Sequence, residues 1–160
     1  MIVVCDGFEF DFTDALDVFI FDETNRQKAN YHGLSHAMKA VDIVVELQDY
    51  YLFIEVKDFY EPESYTDPKF FSHLCGALKY KYRDSWVYRW AEHKTDKPIK
   101  YLCLLELENA LLGRVNKELR KQIPVGKASP RWIEEICNGC NVLNFEIWNQ
   151  RFTAWKVKRI

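Results

Sequence analysis

Residues 40–57 read Ala-Val-Asp-Ile-Val-Val-Glu-Leu-Gln-Asp-Tyr-Tyr-Leu-Phe-Ile-Glu-Val-Lys. Their β-branched and aromatic residues favour strands over helices. Residues 48–50 supply a turn, so the two halves predict a hairpin. Because side chains alternate along a strand, Glu55 and Lys57 share one face, and the turn returns them to the level of Asp42. The stretch therefore predicts one pocket that contains all three charged residues.

Two acids and a lysine are the groups that metal-dependent hydrolysis of a phosphodiester requires. Asp42 and Glu55 are the expected ligands of Mg²⁺ or Mn²⁺, ions that prefer oxygen, and the Val56 carbonyl is a further candidate ligand. Lys57 would orient or activate the attacking water, or offset charge on the phosphate. Charges in so apolar a strand are costly unless they are paired or bind metal. The alternative to a metal site is an internal ion pair between Glu55 and Lys57.

Asp42, followed after residues 43–54 by Glu55-Val56-Lys57, resembles the PD-(D/E)XK nuclease superfamily, which includes restriction endonuclease-like and RecB-like nucleases. The resemblance covers residues 13–107, although Val41 stands where the motif has proline. It implies an α/β fold with a restriction endonuclease-like core, a central mixed sheet flanked by helices in the order α-β-β-β-α-β. It also implies Mg²⁺-dependent cleavage of nucleic acid, most readily DNA, and a further metal ligand from the first helix. For that ligand Glu23 is the first candidate and Asp17 the second.

The periodicity of the remaining residues predicts the other elements. A short strand at 8–12 precedes a helix that begins at Thr13 and ends within 22–25. Loops follow at 24–31 and 58–67. The later elements are a long amphipathic helix (69–91), a buried strand (99–107), helices at 109–123 and 130–137, and strands at 141–148 and 153–160 that form either a hairpin or a strand and a tail.

Composition limits the class of protein. With 160 residues, 48% of them hydrophobic, the chain is expected to form one nuclease-like domain over residues 1–160. Its 22 basic and 24 acidic residues give a net charge of −2, so nucleic acid would need a local basic patch. We find no signal-like segment and no apolar run approaching the roughly 18–20 residues of a membrane span, so we expect a cytoplasmic protein that does not contact membranes.

Candidate nucleic-acid contacts come from two segments. His36 and Lys39 lead into the acidic strand, and Lys79 and Arg83 lie on a polar stripe of the long helix. A plain solvated face explains the stripe better than a nucleic-acid contact does. The aromatic segment 86–90 is expected in the core or at a contact between two copies in a homodimer.

Two other classes of protein remain open. The same fold without catalysis would serve as a nucleic-acid-binding or protein-interaction module. A redox or transition-metal protein would use Cys137 and Cys140, but a zinc site needs two more ligands that the sequence does not supply nearby. The five cysteines otherwise suit reduced thiols.

Overall fold

The computed structural model describes all residues from 1 to 160 as eight strands and three α-helices, with one 3₁₀ turn at Pro62–Thr66. The elements in chain order are β1 (Ile2–Cys5), β2 (Phe8–Phe12), β3 (Asp17–Ile20), β4 (Ile43–Glu46), β5 (Tyr51–Lys57), α1 (Pro68–Ala91), β6 (Ile99–Leu105), α2 (Asn109–Gln122), β7 (Gly139–Leu143), α3 (Phe145–Arg151) and β8 (Trp155–Arg159).

The predicted hairpin lies at the centre of a five-stranded mixed sheet of order β3-β4-β5-β6-β7. β3, β4 and β5 are antiparallel, and β5, β6 and β7 are parallel. A parallel neighbour needs a crossover, and α1 supplies it between β5 and β6. β6 is buried almost throughout, as expected for a strand covered on both faces. The protein therefore has an α/β fold with a mixed sheet and flanking helices.

Helices cover one face of this sheet. Leu74 and Leu78 of α1 and Leu112 of α2 pack with Phe53 and Tyr101 in one large apolar cluster. α1 begins with Pro68 after Asp67, whose side chain accepts a hydrogen bond from the Lys69 N–H, a favourable start for a helix. None of the helices combines the length and the apolar composition that crossing a bilayer requires.

A second sheet, of order β1-β2-β8, covers the other face together with α3. Phe10 of β2 and Trp148 of α3 pack there against Leu52 and Ile54 of β5. β1 and β2 are joined by Asp6 and Gly7, which have φ angles of 47° and 80°. Positive φ at both central residues is the requirement of a tight hairpin turn, and Asp-Gly meets it at low cost. This turn decides where the Asp6 carboxylate lies.

The predicted helix from Thr13 is wrong, because residues 17–20 form the edge strand β3 instead. Val18 and Ile20 pack toward the cluster under the second sheet, whereas Phe19 packs toward the helical face. The apolar spacing fits both periods, and pairing with β4 decides between them. The segment from Thr24 to Tyr31 is irregular, as predicted.

Two C-terminal predictions are also wrong. Residues 130–137 form turns and bends without a helix: Ile133 is 88% exposed, and buried Cys137 pairs with Val125 in an isolated bridge. The predicted strand at 141–148 ends at Leu143, because the Asn144 side chain accepts a hydrogen bond from Ile147 N–H and caps α3. β7 and β8 belong to different sheets, so they do not form a hairpin. The strand at 8–12, the helices at 69–91 and 109–123 and the buried strand from Ile99 are confirmed.

Candidate metal and phosphodiesterase site

The hairpin register brings the two predicted acids level with each other. Ile43 pairs with Ile54, so Asp42 precedes β4 directly across from Glu55. The Asp42 backbone carbonyl accepts a hydrogen bond from Phe21 N–H at 2.8 Å, and its Oδ2 accepts one from Val56 N–H at 2.7 Å. Asp42 is therefore held by both neighbouring strands, with its carboxylate against β5.

Glu55 is buried, with only 1% of its side chain exposed. Its Oε1 lies 2.8 Å from Lys81 Nζ on α1 and 3.9 Å from Lys57 Nζ. Lys81 Nζ also lies 3.8 Å from Asp42 Oδ1, so one ammonium group contacts both acids. No donor reaches the Glu55 Oε2, and a hydrogen bond between the Glu55 and Asp42 carboxyls lowers the pKa of Asp42. A buried carboxylate oxygen without a donor is costly, which makes this oxygen a candidate ligand atom.

These residues line one cleft of about 520 Å³ that opens to solvent. The predicted trio Asp42, Glu55 and Lys57 thus lies together in it. Aromatic rings stand at its mouth, including Tyr60, whose side chain is 97% exposed. The full lining is Asp6, Asp42, Glu55, Val56, Lys57, Asp58, Phe59, Tyr60, Tyr65 and Lys81.

Burial and mutual repulsion perturb the ionisation of the acids. Burial, followed by the nearby charge of Asp42, raises the pKa of Glu55 to about 8, although Lys81 opposes the shift. Burial also raises the pKa of Asp42, while Lys81 and the Val56 N–H favour its charged form. For Lys81, burial lowers the pKa, but Glu55 and Asp42 outweigh that effect and leave it raised. Two carboxylates therefore share one buried ammonium, which leaves Glu55 short of positive charge.

Two residues of the cleft escape sequence reasoning. Lys81 lies on α1 between Lys79 and Arg83, and the sequence does not distinguish its inward-facing side chain from those of the neighbouring polar residues. Asp6 lies in the β1–β2 turn. The sequence around it does not predict that the second sheet packs so as to place Asp6 beside Asp42 in the cleft. An Asp-Gly pair between two strand-like runs was the available signal.

The other predicted site residues lie elsewhere. Glu23 is half-buried beyond β3, where its Oε1 accepts a hydrogen bond from Asn25 N–H, and it does not line the cleft. His36 is exposed in the segment before β4 and lines no described cavity. Lys39 lines a neighbouring groove. Lys79 and Arg83 flank the ring of Tyr80.

The donor set fits a hard divalent cation. Asp42 and Glu55 offer carboxylate oxygens, and Asp6 adds a third from the facing turn. The ligand atoms of Cys5, Asp6 and Asp42 lie within 4.8 Å of one another, and Glu55 does not belong to this group. The amide and carbonyl of a strand residue point to the same side, so the Val56 carbonyl faces the side on which its N–H meets Asp42.

Cys137 and Cys140 belong to the core. Both are buried in the cluster under α2, and Cys137 Sγ donates a hydrogen bond to the Gly139 carbonyl at 3.2 Å. Burial raises the pKa of both thiols, which makes them poor nucleophiles. Their position therefore gives a packing role to both thiols.

The comparisons with known proteins add no family to this geometry. No protein-family model, no curated protein and no solved structure matches the chain.

Proposed function

We propose that the cleft is the active site of a metal-dependent phosphodiesterase that hydrolyses nucleic acid, most readily DNA. One observation carries the proposal: buried Glu55 lines a solvent-accessible cleft beside Asp42, and no donor reaches its Oε2. Structural ion pairs rarely leave a carboxylate oxygen without a partner, whereas a metal ligand requires a free oxygen.

Asp42 and Glu55 would hold Mg²⁺ or Mn²⁺, with Asp6 and the Val56 carbonyl as further oxygen ligands. The ion supplies charge neutralisation at the scissile phosphate and lowers the pKa of a bound water. The raised pKa of Glu55 means that the ion competes with a proton at this carboxyl. Metal binding is therefore expected to strengthen as the pH rises toward 8.

Lys57 has the position of a group that meets substrate. About a third of its side chain is exposed, it lines the cleft, and its 3.9 Å distance from Glu55 is too long for a tight ion pair. From there its ammonium group would orient or activate the attacking water, or offset charge on the phosphate.

Lys81 gives the acids a cation when metal is absent. Its Nζ contacts both acids, the two carboxylates that would hold the ion. Lysine is a flexible point charge on a long chain, so its ammonium group is able to move aside for an ion.

The chain order supports the restriction endonuclease-like core that the sequence resemblance implies. An antiparallel meander, β3-β4-β5, is followed by α1 and by β6 parallel to β5, and the acidic residues lie on the central strands. The expected first helix is missing, and the second sheet brings Asp6 to the cleft instead of an acid from that helix.

A cleavage assay tests the proposal. Purified protein with Mg²⁺ or Mn²⁺ is expected to cleave single- or double-stranded DNA, and EDTA should stop the reaction. Asp42→Asn, Glu55→Gln and Lys57→Ala should each lower the rate by roughly 100-fold or more, since each removes a ligand or the water-facing cation. Glu134→Gln, a change at an exposed residue outside the cleft, is the matched control. Cleavage that survives all three substitutions would overturn the proposal.

The 2.8 Å contact between Lys81 and Glu55 favours a second candidate, a metal-free binding module in which Lys81 is the permanent partner of Glu55. Lys81→Met separates the two functions. In a metal site the variant should unfold more easily without metal but gain more in melting temperature from Mn²⁺ than the wild type does, because competition for Glu55 is removed. A melting temperature that does not respond to Mn²⁺ in either protein would favour the module.

A further inference from the structure

A groove of about 320 Å³ adjoins the acidic cleft along α1. It is lined by Lys39, His73, Gly76, Ala77, Tyr80 and Lys81. Lys81 lines both the groove and the cleft, so the two form a continuous surface. A chain that lies in the groove would therefore reach Asp42 and Glu55 at its end.

Two hydrogen bonds fix the wall opposite α1. Lys39 N–H donates to Asp84 Oδ2 at 2.8 Å, and Val41 N–H donates to the buried Ser85 Oγ at 2.9 Å. They hold the Lys39 backbone against the helix without using its ammonium group, which stays exposed. The groove is therefore built before a ligand arrives.

The groove has a positive charge in a protein whose net charge is −2. Asp84 is the only acid of α1, and its carboxylate already accepts the Lys39 N–H. Lys79 and Arg83 lie beside the groove on the same helix, and no salt bridge engages either of them or Lys39. Free cations beside a groove attract a polyanion.

Tyr80 adds an aromatic surface to this charge. Its side chain is 49% exposed, and its hydroxyl forms no hydrogen bond within the protein. Lys79 Nζ lies 4.8 Å and Arg83 Cζ 5.5 Å from the ring centroid. Both cations lie over the ring, so a base would stack on Tyr80 in their place while their flexible side chains contact the adjacent phosphates.

We propose that this groove binds single-stranded DNA, with a base stacked on Tyr80 and the backbone phosphates on Lys39, Lys79 and Arg83. The inference rests on the proposed function for its choice of DNA and for the direction of the strand toward the cleft. A duplex keeps its base faces stacked inside, so only an unpaired strand, or a frayed end, offers a base to the ring. The fully exposed Tyr60 at the cleft would receive a second base beyond the scissile phosphate.

Binding is measured by fluorescence anisotropy of a labelled oligonucleotide, once as a single strand and once as a duplex. EDTA is present so that metal-dependent cleavage does not occur. The single strand should bind more tightly. Tyr80→Ala should weaken its binding by about 5- to 100-fold, as expected for the loss of one stacked base. Tyr80→Phe keeps the ring and should bind like the wild type.

Gly76 permits a second test that does not depend on charge. A Cβ at this position meets nothing within 4 Å, so larger residues fit the helix and enter the open groove. Gly76→Leu should block the strand and weaken binding at least about tenfold, while both it and Gly76→Ala fold normally, since helices favour either residue over glycine. Gly76→Ala is the size control and should retain binding.

Charge is tested with Lys39→Ala, which should weaken binding and reduce its dependence on salt by about one phosphate contact. Lys117→Ala on α2, an exposed lysine away from the groove, is the control. The proposal that the groove binds single-stranded DNA would be overturned if Tyr80→Ala and Gly76→Leu both bound with wild-type affinity. It would also be overturned if the wild type bound the duplex as tightly as the single strand. Tighter binding of RNA of the same sequence would overturn the choice of DNA.

The cleavage assay remains independent of these measurements. Groove-dependent binding without cleavage in Mg²⁺ or Mn²⁺ would refute the proposed function and leave the groove in place. If Tyr80→Ala and Gly76→Leu cleave DNA and bind it as the wild type does, the proposed function stands and the groove proposal is refuted.

Discussion

At the scale of single residues, Glu55 lies in an unfavourable environment for a charged group. It is buried on the most apolar strand pair, it lies beside Asp42, and one of its oxygens lacks a partner. Lys81 offsets part of this cost and no more, since the pKa of Glu55 remains at about 8. A buried carboxylate of this kind is retained where it serves a function, and it also makes stability depend on pH.

The first prediction concerns that dependence. The ordinary pKa of this carboxyl is 4.5, and in the folded protein burial raises it to about 8. Between these values the folded state holds a proton that the unfolded chain releases, so the Glu55 contribution to stability falls as the pH rises from 4.5 to 8 and is constant above 8. Glu55→Gln cannot ionise and should remove this slope.

Urea denaturation in EDTA across that pH range measures the effect. The free energy of unfolding of the wild type should decline more steeply with pH than that of Glu55→Gln, and the two curves should become parallel above pH 8. Glu146→Gln, at an exposed residue of α3, should follow the wild type. Curves that stay parallel from 4.5 to 8 would show that Glu55 titrates in its ordinary range.

The sequence predicts that Asp42, Glu55 and Lys57 lie together, because their grouping depends only on strand periodicity and a short turn. Both are local properties, and the register of Ile43 with Ile54 agrees with them. Lys81 and Asp6 could not be placed in this way. Their positions depend on how α1 and the second sheet pack on the hairpin, and packing is not a local property.

At the scale of elements, β3 shows why a period is not always enough. Ala15, Leu16, Phe19 and Ile20 have the spacing of one helix face, whereas Val18, Phe19 and Ile20 alternate between the two faces of a strand. The open edge of β4 decides, since β3 satisfies its backbone groups and a helix would not. Because this segment is a strand, the first helix that was expected to supply Glu23 as a metal ligand does not exist, and Glu23 lies outside the cleft.

α1 positions β4 through one buried side chain, and this gives the second prediction. Ser85 is fully buried and its Oγ accepts the Val41 N–H, the residue before Asp42. Ser85→Ala should lower the free energy of unfolding by about 1–3 kcal/mol, since it leaves a buried amide without a partner. It should also weaken the response of the melting temperature to Mn²⁺, because Asp42 loses support.

Thermal denaturation with and without Mn²⁺ checks both effects. Ser72→Ala is the control on the same helix, since Ser72 is exposed and should change stability by less than about 0.5 kcal/mol. If Ser85→Ala destabilises the fold but leaves the Mn²⁺ response intact, then α1 supports the sheet without positioning the acid.

At the scale of the whole molecule, the five-stranded sheet is the middle of three layers. Helices α1 and α2 pack on one face, and the second sheet with α3 packs on the other. The cleft needs both outer layers, because Lys81 comes from the first and Asp6 from the second. The composition predicts one domain, and the shared middle layer is the reason to expect that the layers unfold together.

Phe10→Ala tests that expectation. Phe10 is fully buried in the second sheet, where its ring lies 5.6 Å from Trp148 and 6.0 Å from Phe12, so truncation should cost about 3–5 kcal/mol. Far-UV circular dichroism reports mainly α1 and α2, on the opposite face, whereas tryptophan fluorescence includes Trp148. If the layers are one cooperative unit, both signals should shift to the same lower urea midpoint.

Phe70→Ala on α1 is the control, since half of that side chain is already exposed and its loss should leave the midpoint nearly unchanged. A fluorescence transition that precedes the circular dichroism transition in Phe10→Ala would divide the chain into two units. Asp6 would then reach the cleft only while the second sheet is folded, and metal binding would stabilise that sheet in particular. Coincident transitions would show that the three layers unfold together. The acidic cleft would then depend on the whole fold, because the loss of the Phe10 ring destabilises every layer that contributes a residue to the cleft.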